Sequence, residues 1–197
     1  MKNDKIVGNQ ETEGLLSPFL REFRLKKVAS QIGTNKVILD LASGAGYLKN
    51  HIDSNCTYYG VDYLPENENL NFDIFFNLDI THDNTFEKIS EEFKGKIDII
   101  TVVAFLEHTD NHSIFFNKYS TLLKKGGKII GTTPHPSGRL IHDLLSKVNL
   151  CSKTGAEEHN LFLNKKIILD SIEQSGGHLV YFKKFLLGLN QIFVIVY

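Results

Sequence analysis

A run of ten residues, Val37-Ile38-Leu39-Asp40-Leu41-Ala42-Ser43-Gly44-Ala45-Gly46, restricts the fold of this chain more than any other segment. Val37 to Leu41 is short and apolar, the pattern of a buried parallel strand, broken once by Asp40. A turn of small residues follows, and then Tyr47-Leu48-Lys49-Asn50-His51, which can be helical. Strand, glycine turn and helix in that order open a doubly wound α/β fold. They leave backbone amides at the carboxyl end of the first strand, where a ligand can reach them.

Spacing and charge narrow the class of ligand. A dinucleotide turn needs Gly-x-Gly-x-x-Gly, and counting from Gly44 and Gly46 the third glycine position is Lys49. Asp40 would repel a pyrophosphate and suits a cationic ligand, or one that presents an ammonium group. A nicotinamide-dependent oxidoreductase is therefore the weaker enzyme alternative. A second acid, Asp62, closes the β-rich run Thr57-Tyr58-Tyr59-Gly60-Val61-Asp62, where a carboxylate can accept hydrogen bonds from both hydroxyls of a ribose. A third, Asp79, follows Phe72 to Leu78 and with Ile80 could meet an adenine amino group and ring face. The three acids fall at successive strand ends, on the rim where open parallel sheets bind ligands.

These segments resemble the class I S-adenosylmethionine-dependent methyltransferases over nearly the whole chain. Residues 37–46 are similar to the first motif of that family, Tyr59-Gly60-Val61-Asp62 to its ribose segment and Asp79-Ile80 to its adenine segment. Ile97 to His108, ending Leu106-Glu107-His108, resembles its fourth strand, and Leu122-Leu123-Lys124-Lys125-Gly126-Gly127 its turn into the fifth. The resemblance implies S-adenosylmethionine as cofactor. It places Asp40, Ser43, Gly44 and Gly46 at the methionine end, Asp62 at the ribose and Asp79 with Ile80 at the adenine; Ala42, Tyr63, Ala104 and Phe105 complete the cofactor-binding set. Two residues depart from the pattern. Ala42 replaces a glycine, read here as an extended residue that adds one methyl, and Lys125 replaces a proline, giving up turn rigidity.

The remaining sequence predicts an α/β domain with a doubly wound, mostly parallel, seven-stranded sheet. Residues 1–16 read as a polar lead-in and 17–197 as a single domain, consistent with a length of 197 residues. Ser17-Pro18 starts a helix that carries Phe19, Phe23, Leu25 and Val28. Strands are expected near 37–42, 57–62, 72–78, 97–103 and 127–133. Helices are expected near 46–52, 83–94, 111–124 (capped by Asp110), 137–149 and 165–175. The apolar runs 178–187 and 191–196 read as a closing hairpin, with Gly188 and Asn190 in its turn and one strand antiparallel to the rest.

Composition argues against several partners. The formal charge is −1 with Lys and Arg dispersed along the sequence, which is not the footprint of a nucleic-acid binder, and no apolar run reaches membrane-spanning length. Cys56 and Cys151 stand apart, so a cytoplasmic, reducing setting is expected. His108 and His112 have helical metal-ligand spacing, but with no third ligand evident no metal is expected. Where metal-dependent relatives carry paired acids, Ala104 and Thr133 stand here.

The acceptor is expected to be a small molecule, methylated at oxygen. His135, between Pro134 and Pro136 after the fifth strand, and His159, in a loop before a later helix, are the candidate catalytic bases. Tyr47, Arg139, His135 and His159 are the candidate substrate contacts. The alternative from another class is a domain that binds S-adenosylmethionine without transferring its methyl group and acts as a sensor or partner. The oligomeric state stays open.

Overall fold

A computed structural model describes residues 17–65, 69–109, 111–134 and 163–197. Seven strands form one sheet: β1 (Val37–Leu41), β2 (Thr57–Asp62), β3 (Ile74–Asn77), β4 (Ile97–Val103), β5 (Leu123–Pro134), β6 (His178–Phe185) and β7 (Asn190–Val196). Their order across the sheet is β3-β2-β1-β4-β5-β7-β6. Strands β1 to β5 pair in parallel, and β7 lies antiparallel between β5 and β6. The expected fold class is therefore the observed one.

Helices cover both faces because both faces of each central strand are apolar. In β1, Ile38 and Asp40 turn toward α1 (Ser17–Ala29), which contributes Leu25 and Val28 to that layer. Leu39 and Leu41 turn the other way, toward α2 (Asp83–Phe93), α3 (His112–Ser120) and α4 (Lys165–Ile172). Thr85, Ile89 and Phe93 are buried at intervals of one helical turn, which is why α2 lies flat on the sheet with Glu87, Lys88 and Glu91 outward.

Several local expectations change. The cap of α3 is Asn111, whose side chain accepts from the Ile114 amide at 3.0 Å; Asp110 lies outside the described residues. The segment after the glycine turn is a single-turn 3-10 helix, Tyr47–His51. The third strand shortens to Ile74–Asn77, and β5 starts at Leu123, where its first pair with β4 precedes a register shift. Asn190 belongs to β7 and pairs with Pro134 and Phe185, so the hairpin turns through Leu186, Leu187 and Gly188, all at positive φ. The lead-in 1–16 and the helix expected at 137–149 lie outside the described residues.

Gly131 in β5 shows how tightly the centre is filled: a Cβ there would sit 2.2 Å from the ring of Phe193, which is fully buried. Gly131→Ala is expected to destabilise the protein by about 2 kcal/mol through overpacking. Urea unfolding measures this, and an unchanged midpoint would contradict the packing described.

Candidate active site

The rim at the carboxyl ends of β1, β2 and β4 is built around Asp40. Its backbone is opposite Gly60 of β2 and Thr101 of β4. The hydroxyl of Tyr58, two residues before Gly60 and on the same face, donates to one carboxylate oxygen, and the Thr101 hydroxyl donates to the other at 2.6 Å. Asp40 is 3% exposed, so its carboxylate serves the three central strands and does not stand open to solvent. Burial pushes its pKa up to about 7, against the pull of the Thr101 and Tyr58 hydroxyls and with the Asp62 charge adding to the rise. Burial and the neighbouring Asp40 together raise the Tyr58 phenol.

Beyond Leu41 the chain turns sharply. The amides of Ala42 and Ser43 both donate to the Val61 carbonyl, at 2.9 and 3.3 Å. Ala42 takes a left-handed conformation, φ 56°, and is not the extended residue expected from the sequence; an alanine there costs on the order of 1 kcal/mol relative to glycine. Ala104, just past β4 on the neighbouring strand, is left-handed as well, with φ 54°. Strain at two adjacent rim positions fits a site held in a required shape.

Gly44 and Gly46, also at positive φ, complete the turn. A Cβ on Gly44 would meet nothing within 4 Å, so the backbone there borders open space that a side chain would occupy. A Cβ on Gly46 would lie 2.5 Å from the Asn71 carbonyl oxygen. Asp62 fixes this turn from β2: one carboxylate oxygen accepts from the Gly44 amide and the other from the Tyr63 amide, both at 2.7 Å. Tyr63 itself is exposed.

Farther along the rim, Asp79 caps its own turn, accepting from the Thr81 amide at 2.8 Å and the Thr81 hydroxyl at 2.6 Å. Burial alone would raise its pKa, but these bonds outweigh burial and hold it below the usual value. Ile80 and Phe105 line a cavity of about 290 Å³, with Phe86, Phe115, Tyr119 and His108 among its other walls. Thr81, His82, Thr109, Asn111 and Lys118 add polar groups to the lining, and a slot of this mixed character, one residue from Asp79, can accept a flat, amino-bearing ring. Tyr47 stands under the Arg21 guanidinium, 4.6 Å from its ring centre. His112 is buried with Nε2 2.9 Å from the Leu106 carbonyl oxygen. His135, Arg139 and His159 lie outside the described residues.

Four residues that sequence reading did not assign belong to this rim. Tyr58 and Thr101 are one pair; a hydroxyl inside each strand was the only signal, and Tyr58 shares it with its neighbours Thr57 and Tyr59. Arg24 and Glu107 are the other. Arg24 is partly buried, and its only hydrogen bond among the described residues runs from Nε to the Leu20 carbonyl at 3.3 Å. Burial lowers its pKa, and the Glu107 charge opposes that fall. Glu107 is 2% exposed, with Oε2 unpartnered among the described residues. Burial pushes its pKa up to about 7, opposed by its own backbone amide, the Arg24 charge and a hydrogen bond with Thr133.

Residues 13–176 match the methyltransferase-domain family. The chain belongs to that family of class I S-adenosylmethionine-dependent methyltransferases. Solved structures with the same fold include an S-adenosylmethionine-dependent methyltransferase from Mesorhizobium loti (14% identity, 93% of this chain and 98% of that one, TM-score 0.57). Another is a putative methyltransferase from Bacillus halodurans (19% identity, 82% and 71%, TM-score 0.59). A third, from Burkholderia thailandensis, is a 1,6-didemethyltoxoflavin-N1-methyltransferase with that compound and S-adenosylhomocysteine bound (12% identity, 91% and 80%, TM-score 0.63). None of the curated proteins matches this chain. The cofactor of this methyltransferase is S-adenosylmethionine, and an open glycine turn hydrogen-bonded to Asp62 and the slot at Ile80 and Phe105 fit it.

The buried Asp40 carboxyl gives a pH test. Its native pKa, about 7, exceeds the unfolded value of about 4, so the native state holds the proton more tightly and stability falls as pH rises between those values. Asp40→Asn is expected to make that fall shallower by about 1 kcal/mol per pH unit in denaturant melts between pH 5 and 7. Parallel profiles for the two proteins would show that Asp40 does not titrate in this range.

Proposed function

We propose that this methyltransferase modifies a small molecule, at oxygen, and that its methyl donor lies along the rim from Arg24 to Ile80. The observation that carries the reading is the Gly44–Asp62 hydrogen bond, which joins an open left-handed turn to an acid at the next strand end. In this reading the Asp62 carboxylate keeps capacity to accept from the ribose hydroxyls, with Tyr63 beside it. Ser43, Gly44 and Gly46 border the methionine end, with Ala42 and Ala104 shaping its walls. Asp79, Ile80 and Phe105 receive the adenine. Asp40 acts from beneath, setting the turn that the donor meets.

Arg24 joins this set. A partly buried guanidinium whose terminal nitrogens make no hydrogen bond among the described residues suits an anion, and the carboxylate of the donor is the anion available at that end of the cleft. The Glu107 charge offsets part of the cost of burying the guanidinium when the cleft is empty. Bound S-adenosylmethionine supplies a methyl group already made electrophilic by the positive sulfur. The protein's part is to hold the acceptor in line with that methyl group, and orientation of this kind can supply roughly 7–11 kcal/mol of the barrier. A base helps only where the nucleophile must lose a proton; His135 and His159 are proposed for that role, with Tyr47 and Arg139 contacting the acceptor.

A small-molecule acceptor is supported by the Burkholderia thailandensis structure, which holds one. No helix among the described residues is long and apolar enough to cross a membrane. Cys56 is a buried free thiol, in keeping with a cytoplasmic setting.

Calorimetry tests the two ends of the donor site separately. Asp62→Ala is expected to weaken S-adenosylhomocysteine binding by about 1.5–3 kcal/mol, through lost charge-assisted hydrogen bonds. Arg24→Leu is expected to weaken S-adenosylhomocysteine but leave methylthioadenosine, which lacks the amino-acid end, unchanged. Equal losses for both ligands would remove Arg24 from carboxylate recognition. For the acceptor, turnover of methyl-labelled donor with pooled metabolites is expected to give labelled small O-methyl products. Label appearing only on protein or nucleic acid would overturn that part.

A further inference from the structure

The opposite edge of the sheet carries a feature that methyl transfer does not use. Where β1, β4 and β5 begin, a cavity of about 220 Å³ is lined by Lys36, Lys124, Lys125 and Lys128 around Asp98. Asp98 is already engaged. One of its oxygens accepts from the Val37 amide at 2.9 Å, and both take hydrogen bonds from the Lys124 ammonium at 3.0 Å. Burial would raise the Asp98 carboxyl, but the Val37 amide and Lys124 hold it below its usual value, so it stays an anion satisfied by Lys124. Lys36, Lys125 and Lys128 form no ion pair among the described residues; the Lys36 charge adds to the lowering of Asp98, so four lysines share this one lining carboxylate and the cavity keeps an excess of positive charge.

The turn that presents Lys124, Lys125 and Lys128 is fixed, and Lys36 is the residue before β1. The Gly126 amide donates to the Tyr197 carbonyl at 2.7 Å, and the Tyr197 amide donates to the Gly127 carbonyl at 3.0 Å, tying the turn to the end of β7. Gly126 is left-handed, and a Cβ on Gly127 would lie 2.8 Å from the Lys124 carbonyl oxygen, so the backbone has no room to relax. Lysine rather than proline at position 125 adds charge to this cavity at the cost of turn rigidity. The length of β4, seven residues at about 3.3 Å each, places it roughly 20 Å from the donor rim.

We propose that this basin is a second ligand site, for a small, multiply charged anion bearing phosphate. Like charges gathered in a concave site attract an anion of opposite sign far better than the same charges dispersed. Ammonium groups act as compact point charges that suit phosphate oxygens, and no arginine fork is present to favour a planar carboxylate. The volume suits a diphosphate or a small phosphate ester. The site would let a phosphorylated metabolite act on the enzyme without competing for the cleft.

Inorganic pyrophosphate is the probe. Titration by calorimetry, against sodium chloride at matched ionic strength, is expected to give saturable one-site binding. The Lys36→Gln/Lys128→Gln double variant should weaken it by about tenfold or more, while a Lys88→Gln/Lys166→Gln control binds as wild type. S-adenosylhomocysteine binding should be the same in all three proteins. Independently of any variant, amide shifts on adding pyrophosphate to the wild-type protein should centre on Gly126 and Gly127. No saturable binding, equal binding by the two double variants, or shifts confined to the Gly44 rim would overturn the proposal. So would binding only by heparin or oligonucleotides, which would make the basin part of a polyanion surface.

Discussion

The central constraint in this fold is a carboxylate placed where an apolar strand would be expected to stay apolar. Asp40 accepts from Tyr58 of β2 and Thr101 of β4, and so ties β1, β2 and β4 together from one face of the sheet. Burying a charge or its proton is costly, and each charge-assisted bond returns only about 1.5–3 kcal/mol. The compensation is geometric. With β1 and β2 held in register, Val61 offers its carbonyl to Ala42 and Ser43, and Asp62 reaches the Gly44 amide. The donor-facing turn depends on those bonds, so the buried acid acts on function at second hand.

Strain and charge are both distributed unevenly along the strands. Left-handed alanines after β1 and β4 sit at the carboxyl rim, where Asp62, Asp79 and Glu107 also gather. Lysines gather at the other edge, around Asp98. A net charge of −1 for the whole chain gives no sign of this arrangement. A positively charged donor approaching such a molecule meets its acidic end favourably, and a phosphate-bearing anion meets the basic one.

Much of this was legible in the sequence because apolar runs and turn chemistry are local. Val37 to Leu41, the glycine turn and the closing hairpin are each contiguous in sequence, and the alternation of strands and helices fixes a parallel sheet with one reversed strand. What escaped depends on partners distant in sequence. Thr101 is 61 positions from Asp40, so an acid in a strand could be read only as facing a ligand. Arg24 follows Phe23 and precedes Leu25 on α1, and a helix pattern alone assigns such a residue to solvent. The conformation of Ala42 was hidden for another reason: backbone angle follows from the turn closed by Val61, and an alanine gives no sign of a left-handed residue. Asn111 and Asp110 are both good caps, and only the helix start chooses between them.

The account is tested most directly by a crystal structure of the protein with S-adenosylhomocysteine. It predicts ribose hydroxyls within hydrogen-bond distance of the Asp62 carboxylate, the amino-acid end over Gly44 and Gly46 beside Arg24, and adenine against Ile80 and Phe105. Ligand bound away from this rim, or a rim left empty at saturating ligand, would contradict it.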